Sequence, residues 1–150
     1  MKNNINIAII GLGQIGIYLY NELKTKKKEI EKKTGKKIKI SAVSAKNRNK
    51  KRKFPIQKSI FFNKPLEIFK KKKIDILFEC IGLSDGISKK VVETALKRGI
   101  HVITPNKALI SKHGDSLAKL AEQNNVNLEF EASVAGGIPI LNTIKEGLAT

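Results

Sequence analysis

The chain has 150 residues, a single cysteine, two histidines and a net charge of +17. This length suits one domain with one core, and the lone Cys80 excludes an intrachain disulfide and a cysteine metal cluster. No run of about 18 apolar residues could span a membrane and the first residues lack a signal-peptide pattern, so we expect a cytoplasmic protein without a membrane partner.

The positive charge is confined to the first half of the chain. Residues 1–75 carry 22 Lys and Arg against 5 Asp and Glu, whereas residues 76–150 carry 8 of each. Lys outnumbers Arg by 27 to 3, although bidentate recognition of bases and phosphates favours Arg. We therefore interpret the lysines as solvated surface and expect no nucleic-acid partner, with a basic nucleic-acid binder as the discounted alternative.

The first predicted element is a buried parallel strand over Ile5–Ile10, followed by the glycine turn G-L-G-Q-I-G at 11–16. Gly11 permits the turn, Gly13 lets the backbone approach a pyrophosphate, and Gly16 lets the next helix pack on the strand. The alternative is a turn that binds no ligand. The predicted cofactor contacts in this turn are Gly11, Gly13, Gln14, Ile15 and Gly16.

One helix is predicted after the turn, with Ile15, Leu19, Leu23 and Ile30 on a single apolar stripe and Gly35 at its end. A second strand over Ile38–Ser44 then completes a β-α-β unit.

The end of the second strand bears on the choice of cofactor. An acid there would hold the ribose hydroxyls of NAD, whereas a basic residue can hold the 2′-phosphate of NADP. The segment Ser44–Arg48 contains no acid, so NADP(H) is favoured over NAD(H), with Lys46 and Arg48 on the phosphate and Ser44 as a hydrogen-bond donor. The alternative is that residues 46–53 form one more solvated basic loop.

The middle of the chain predicts a short strand or covering segment over Ile56–Phe62, a short helix over Pro65–Lys71 and an apolar strand over Ile74–Ile81. The loop Gly82–Gly86 follows that strand at its carboxyl end, which places it beside the cofactor. Cys80 is interpreted as a small buried hydrophobe rather than a nucleophile, since no base accompanies it.

A helix is predicted over Ser88–Arg98, ended by Gly99, and a strand over Ile100–Thr104. His101 alternates with apolar neighbours there, which favours a structural role. The loop that follows projects Lys107 into the cleft, unless Lys107 is one more exposed lysine.

The last elements are a helix over Lys112–Asn124 with His113 on its surface, a strand over Val126–Glu131, and a helix that begins at Pro139 and carries Ile144. The order of elements predicts an α/β fold with a doubly wound, mostly parallel Rossmann-type sheet and helices on both faces. Residues 1–150 would form one dinucleotide-binding domain.

Four motifs, in this order and spacing, resemble the NAD(P)-binding N-terminal domain of homoserine dehydrogenase: G-L-G-Q-I-G, H-V-I-T-P-N-K-A-L, F-E-A-S-V-A-G-G-I-P-I and K-E-G-L-A. The resemblance covers essentially the whole chain. It implies an oxidoreductase that interconverts aspartate 4-semialdehyde and homoserine with a nicotinamide cofactor, on the route to threonine, methionine and isoleucine.

The resemblance also implies site residues. Lys107 would lie by the nicotinamide and the substrate as the catalytic residue, and Thr104, Gly82 and Ser84 would touch the cofactor. A monovalent cation such as sodium would be held by four residues, the last three through backbone carbonyls: Glu131, Val134, Gly136 and Ile138. Oxygen ligands suit a hard cation, although Glu131 by itself could equally cap a helix or pair with a lysine.

By the same resemblance, the substrate and dimerisation domain lies beyond Thr150, with the family's proton-transferring lysine and substrate carboxylates. We therefore expect this chain to bind cofactor and to turn over little by itself. The family's dimer contacts lie largely in that absent part, so the oligomeric state stays open, a homo-oligomer included. Lys46-Asn47, where many relatives have Arg-Asp, weakens the transfer of ribose contacts. The alternative function is a stand-alone NAD(P)-sensing regulatory module without catalysis.

Overall fold

The computed structural model of the chain describes residues 3–130 and 143–144. Six parallel strands form one sheet in the order β3-β2-β1-β4-β5-β6. The strands are β1 (Asn4–Ile10), β2 (Lys37–Ser44), β3 (Phe61–Phe62), β4 (Ile76–Glu79), β5 (His101–Ile103) and β6 (Leu128–Glu129). The helices are α1 (Gln14–Thr25), α2 (Lys27–Thr34), α3 (Ile68–Lys71), α4 (Ile87–Lys97) and α5 (Lys107–Gln123).

This architecture confirms the predicted doubly wound sheet. The strand order reverses between β1 and β4, and ligands of such sheets bind in the crevice outside the carboxyl ends of the strands at that reversal. Among the described residues, no helix combines the length and the apolar character needed to cross a bilayer.

Both faces of the sheet are covered, as continuous apolar strands require. Ile7 and Ile9 of β1 point to the face that α1 covers, and the buried Ile144 joins that cluster. Ala8 and Ile10 point to the opposite face, which α3, α4 and α5 cover. The alternation along one strand therefore supplies both halves of the core.

The prediction of one helix after the glycine turn is wrong, because the helical geometry is interrupted at Lys26, between α1 and α2. The Thr25 hydroxyl donates to the carbonyl of Asn21 at 3.0 Å, a side-chain bond that bends helices. Leu19 and Leu23 are buried as predicted, but Ile15, in the first turn of α1, is 47% exposed.

The predicted start of the fifth helix is also wrong, since α5 begins at Lys107 rather than Lys112. The Asn106 side chain accepts a hydrogen bond from the backbone N–H of Leu109 at 3.1 Å and is therefore the N-cap of α5. The sequence predicts a loop at Asn106 and does not indicate this cap. His113 is consequently in the second turn of α5 rather than at its start. The helix predicted from Pro139 falls outside the described residues, except for Thr143 and Ile144.

The short elements of the middle follow the predictions closely. A 3₁₀ turn over Lys58–Ile60 leads into β3, and another over Pro65–Glu67 leads into α3. At the end of α4, Gly99 takes φ +70°, and its N–H donates to the Leu96 carbonyl while that of Ile100 donates to Ala95. This pair of bonds is the Schellman motif that Gly99 predicted.

Candidate cofactor site

The glycine turn is packed backbone against backbone. Gly11 has φ +95°, and its N–H donates to the Ser44 carbonyl at 2.8 Å. A Cβ on Gly11 would lie 2.5 Å from the carbonyl carbon of Cys80, and one on Gly16 would lie 1.8 Å from the Gly11 oxygen. The fold of the chain itself therefore demands glycine at both positions.

Gly13 differs from its two neighbours, because a Cβ there would meet no described atom within 4 Å. It is the N-cap residue of α1, and neither a side-chain cap nor an acid occupies the first turn of that helix. The first N–H groups of a helix have no intrahelical partners and favour an anion. The turn thus presents an open, electropositive helix end at the crevice.

A cleft of about 680 Å³ lies at the carboxyl ends of β1, β2 and β4. Of the predicted cofactor residues, four line it: Gly11, Gly13, Ser44 and Lys46. The remaining predicted residues lie outside its lining: Gln14, Ile15, Gly16, Arg48, Gly82, Ser84, Thr104 and Lys107. The β1–α1 turn and the end of β2 therefore line one cleft, whereas the predicted residues of the loops after β4 and β5 do not line it.

In the basic loop after β2, some side chains line the cleft and some hold the loop together through backbone carbonyls, and Arg52 does both. Lys46, Lys50 and Arg52 line the cleft, whereas Arg48 donates to the Lys58 carbonyl at 3.0 Å. The Arg52 guanidinium donates to the Asn47 carbonyl at 2.7 Å. The sequence signalled basic character here but not which side chains face the cleft, so Lys50 and Arg52 were missed.

A buried carboxylate at the end of β4 is a second feature that the sequence did not reveal. Glu79 is fully inaccessible. Its Oε2 accepts the Thr104 hydroxyl at 2.6 Å and the Asn106 amide at 3.3 Å, and its Oε1 accepts the N–H of Ile81 at 2.9 Å. In the sequence Glu79 is one polar residue in an apolar strand, and nothing near it indicates that Thr104 and Asn106 are its hydrogen-bond partners.

Thr104 and Lys107, both predicted from the loop after β5, have different environments. Thr104 is fully buried, and its hydroxyl accepts the N–H of Asn106 at 3.0 Å while donating to Glu79. Lys107 is the first residue of α5 and is exposed. Only Lys107 of this pair presents its side chain to solvent.

The loop after β4 is attached to α5 through Asp85. Ser84 donates to the Asp85 carboxylate at 3.2 Å, Lys112 bonds the same oxygen, and His113 Nε2 lies 2.7 Å from the other. The Lys112 ammonium, and then His113, hold the pKa of Asp85 well below its usual range. The prediction of His113 as a simple surface residue is therefore corrected, because its ring is mostly covered and contacts Asp85.

Two residues were predicted to be structural, and the prediction for one of them is corrected: Cys80 is only partly buried and lines the cleft. Burial, and then the adjacent Glu79 charge, raise the pKa of the Cys80 thiol to about 12, so the nucleophilic thiolate does not form near neutral pH. His101 is buried, and its Nδ1 accepts the backbone N–H of Asn127 at 3.0 Å.

The predicted cation ligands Glu131, Val134, Gly136 and Ile138 lie outside the described residues. Within residues 3–130 and 143–144, no group of three or more His, Cys, Asp or Glu side chains could hold a metal ion.

A parallel sheet in the order 3-2-1-4-5-6, with a glycine turn that opens a helix at the strand reversal, defines a dinucleotide-binding domain of the Rossmann type. The sequence profile of the NAD-binding domain of homoserine dehydrogenase matches residues 11–131. The chain belongs to this family.

Individual relatives agree with that assignment. Homoserine dehydrogenase of Neisseria gonorrhoeae is 37% identical over 145 residues, which are 97% of this chain and 33% of that protein. A crystal structure of the Staphylococcus aureus enzyme at pH 7.5 has a TM-score of 0.80 and 34% identity, over 87% of this chain and 33% of that one. The Thiobacillus denitrificans enzyme has a TM-score of 0.76 and 29% identity, over 97% and 33%.

The chain thus spans about a third of the length of the curated relatives that it matches. The alternative of a stand-alone regulatory module finds no support among these relatives.

Proposed function

We propose that the chain is the cofactor-binding part of a homoserine dehydrogenase and serves the interconversion of L-aspartate 4-semialdehyde and L-homoserine. This reaction would place it in the biosynthesis of threonine and methionine, in the cytoplasm. The observation that carries the proposal is the cleft at the β1/β4 reversal, whose glycine turn leaves room for a phosphate beside Gly13, where no atom of the described residues lies within 4 Å of a Cβ position. The family match supplies the substrate class.

The described residues fit a dinucleotide. The pyrophosphate would rest on the unfilled N–H groups at the start of α1, and Gly13 would admit it because no Cβ occupies the approach. Gly11 and Gly16 hold that helix end against β1 and β4. Bound nicotinamide supplies hydride transfer to or from the substrate carbon.

We favour NADP(H) over NAD(H). No acid stands at the end of β2 to bond the ribose hydroxyls of NAD, and Lys46, Lys50 and Arg52 line the same part of the cleft. Lys46 is the proposed direct contact of the 2′-phosphate. Arg48 would add positive potential from its place beside the Lys58 carbonyl.

We further propose Lys107 as the residue beside the nicotinamide and the substrate. Its exposed side chain at the start of α5, beyond the carboxyl end of β5, supports this role. A monovalent cation would be held by Glu131 and the carbonyls of Val134, Gly136 and Ile138, which follow β6 in the sequence. The substrate would be held with the part of the enzyme that the relatives have and this chain does not span.

The test is calorimetric titration of the chain with NADPH and with NADH at one ionic strength. A charge-assisted contact to the 2′-phosphate predicts that NADPH binds about tenfold more tightly. Equal affinities, or tighter NADH, would contradict the NADP preference. If neither nucleotide bound, the cofactor proposal itself would be wrong.

A further inference from the structure

The Glu79 carboxylate is costly to bury, yet it lies at 0% exposure and makes no ion pair within the described residues. Burial of an unpaired carboxylate is tolerated only where hydrogen bonds replace its water. Four donors face it here: the Thr104 hydroxyl, the Asn106 amide, and the backbone N–H groups of Ile81 and Gly82, the last at 3.4 Å. A group held at such cost has a role that an apolar residue could not fill.

The hydrogen bonds of Glu79 connect two loops, one after β4 and one between β5 and α5. Ile81 and Gly82 belong to the first loop, and Thr104 and Asn106 belong to the second, where Asn106 caps α5. The Asn106 amide donates a second bond to the Leu83 carbonyl at 2.8 Å, while its oxygen accepts the N–H of Leu109. The start of α5, and with it Lys107, is therefore fixed to the loop after β4.

Of these two loops, the one after β4 lines the cleft, and it does so on one side only. Ile81 and Leu83 line it from the β4 side, whereas Ser44 and Lys46 line it from the β2 side. A dinucleotide lies across the crevice with its adenosine ribose at the end of β2, so its nicotinamide half lies on the side of β4 and β5. The Glu79 hydrogen bonds therefore shape the nicotinamide half without reaching the adenosine half.

We propose that Glu79 is a positioning residue, which acts through Thr104 and Asn106 to hold Lys107 and the loop residues 81–83 against the nicotinamide half of the bound cofactor. The inference rests on the proposed cofactor function. Glu79 itself touches neither cofactor nor substrate, because its side chain is enclosed by its four donors. Its effect is to keep two loops at one fixed separation while the cofactor binds between them and the glycine turn.

The test compares two ligands on the 150-residue chain: NADPH, and adenosine 2′,5′-bisphosphate, which has no nicotinamide half. Glu79→Gln keeps the side-chain shape but removes the charge and turns one acceptor into a donor that faces other donors. We expect NADPH to bind about tenfold more weakly, the size of one lost hydrogen bond to a charged group, and the bisphosphate to bind unchanged. Glu93→Gln, the same change at a partly exposed pair with Lys89 on α4, is the matched control and should alter neither affinity.

A second variant guards against a folding defect in the first. Asn106→Ser keeps an N-cap oxygen for α5 but removes the amide that donates to Glu79 and to the Leu83 carbonyl. It should produce the same selective loss of NADPH affinity. Amide hydrogen exchange of the Leu109 N–H reports whether the helix cap survives in each variant.

The affinities of the two variants for the two ligands decide between the possible roles of Glu79. A selective loss of NADPH affinity in both variants supports the positioning role. Equal losses for both ligands would show that Glu79 serves only the stability of the fold, and unchanged NADPH affinity would show no coupling to the site, so either result overturns the proposal. If the unsubstituted chain binds neither ligand, the proposed cofactor function has failed instead.

Discussion

The two sides of the cleft are built from different kinds of contact. On the β1 side, Gly11 and Gly16 bring backbone against backbone with no space for a single added carbon. On the β4 side, the two carboxylate oxygens of the buried Glu79 accept hydrogen bonds from the Ile81 N–H, the Thr104 hydroxyl and the Asn106 amide. The first side is therefore vulnerable to any added atom, and the second to the loss of one hydrogen-bonding group.

The two sides also differ in how strongly solvent screens their charged groups. The loop that carries Lys46 and Arg52 is open to solvent on its outer surface, where ions screen it. The Glu79 carboxylate lies in the interior, where one charge has a large effect because little water screens it. Substitution of a solvent-exposed residue of this loop, such as Lys46, should thus change binding with little effect on folding.

The largest expected effect is on stability, from Gly16→Ala. The new Cβ would lie 1.8 Å from the Gly11 oxygen, so α1 must move away from β1. Overpacking of this severity should lower the free energy of unfolding by at least about 3 kcal/mol. Urea unfolding followed by circular dichroism measures it, and a variant as stable as the parent would contradict the packing described for this turn.

Gly13→Ala is the matched comparison, because its Cβ meets no described atom within 4 Å. The free energy of unfolding should change by less than about 1 kcal/mol. The proposed NADPH affinity should fall by at least about tenfold, since the methyl group would occupy the approach of the pyrophosphate. Retained affinity in this variant would place the phosphates elsewhere.

A smaller effect is expected from Lys46→Ala. Loss of one solvent-exposed charged contact should weaken NADPH binding by about fivefold and leave NADH binding unchanged. Arg48→Ala is the comparison within the same loop and should change the NADPH to NADH ratio less, because Arg48 is engaged by the Lys58 carbonyl. Calorimetry measures both ratios, and a larger effect from Arg48 would reverse the proposed roles.

The smallest effect concerns the attachment of the β4 loop to α5 through Asp85. Its folded-state pKa is depressed, by Lys112 first, so its stabilisation is present above the unfolded value of about 3.9 and is lost as pH falls through the folded value. Asp85→Asn should therefore lower the urea midpoint slightly at pH 7. The difference from the parent should shrink as the pH is lowered from about 5 towards 2, and a difference that grew instead would contradict the contacts of Asp85.

Much of the fold could be predicted because it is recorded in local patterns. The nearly continuous apolar run Ile5–Ile10 and the segment Ile38–Ser44 predicted the first two strands within a residue of their observed bounds, and Gly99 marked the end of α4. The interruption of the helix at Lys26 and the cap at Asn106 were not predicted, since both depend on which hydrogen bond a short polar side chain makes. Several alternatives compete for such a side chain in the sequence alone.

The candidate site divides in the same way. The glycine spacing predicted separate roles for Gly11, Gly13 and Gly16, because each role depends on the backbone of the turn. Glu79 gave no such signal, because its partners lie 25 and 27 residues away in the chain. The cation ligands predicted around Glu131 fall outside the described residues and stay a prediction.

The sequence by itself determined the class of fold, the turn that opens α1 and the resemblance to one enzyme family, because these rest on periodicity, glycine spacing and motif order. Only the tertiary structure decided which basic side chains face the cleft and that Glu79 joins the loops after β4 and β5. Those features depend on contacts between segments that are distant in the chain, and a side chain's partner across such a distance is set by the packing of the whole sheet. Lys46 and Arg48 show this most simply: they are two residues apart, yet one lines the cleft and the other bonds the Lys58 carbonyl.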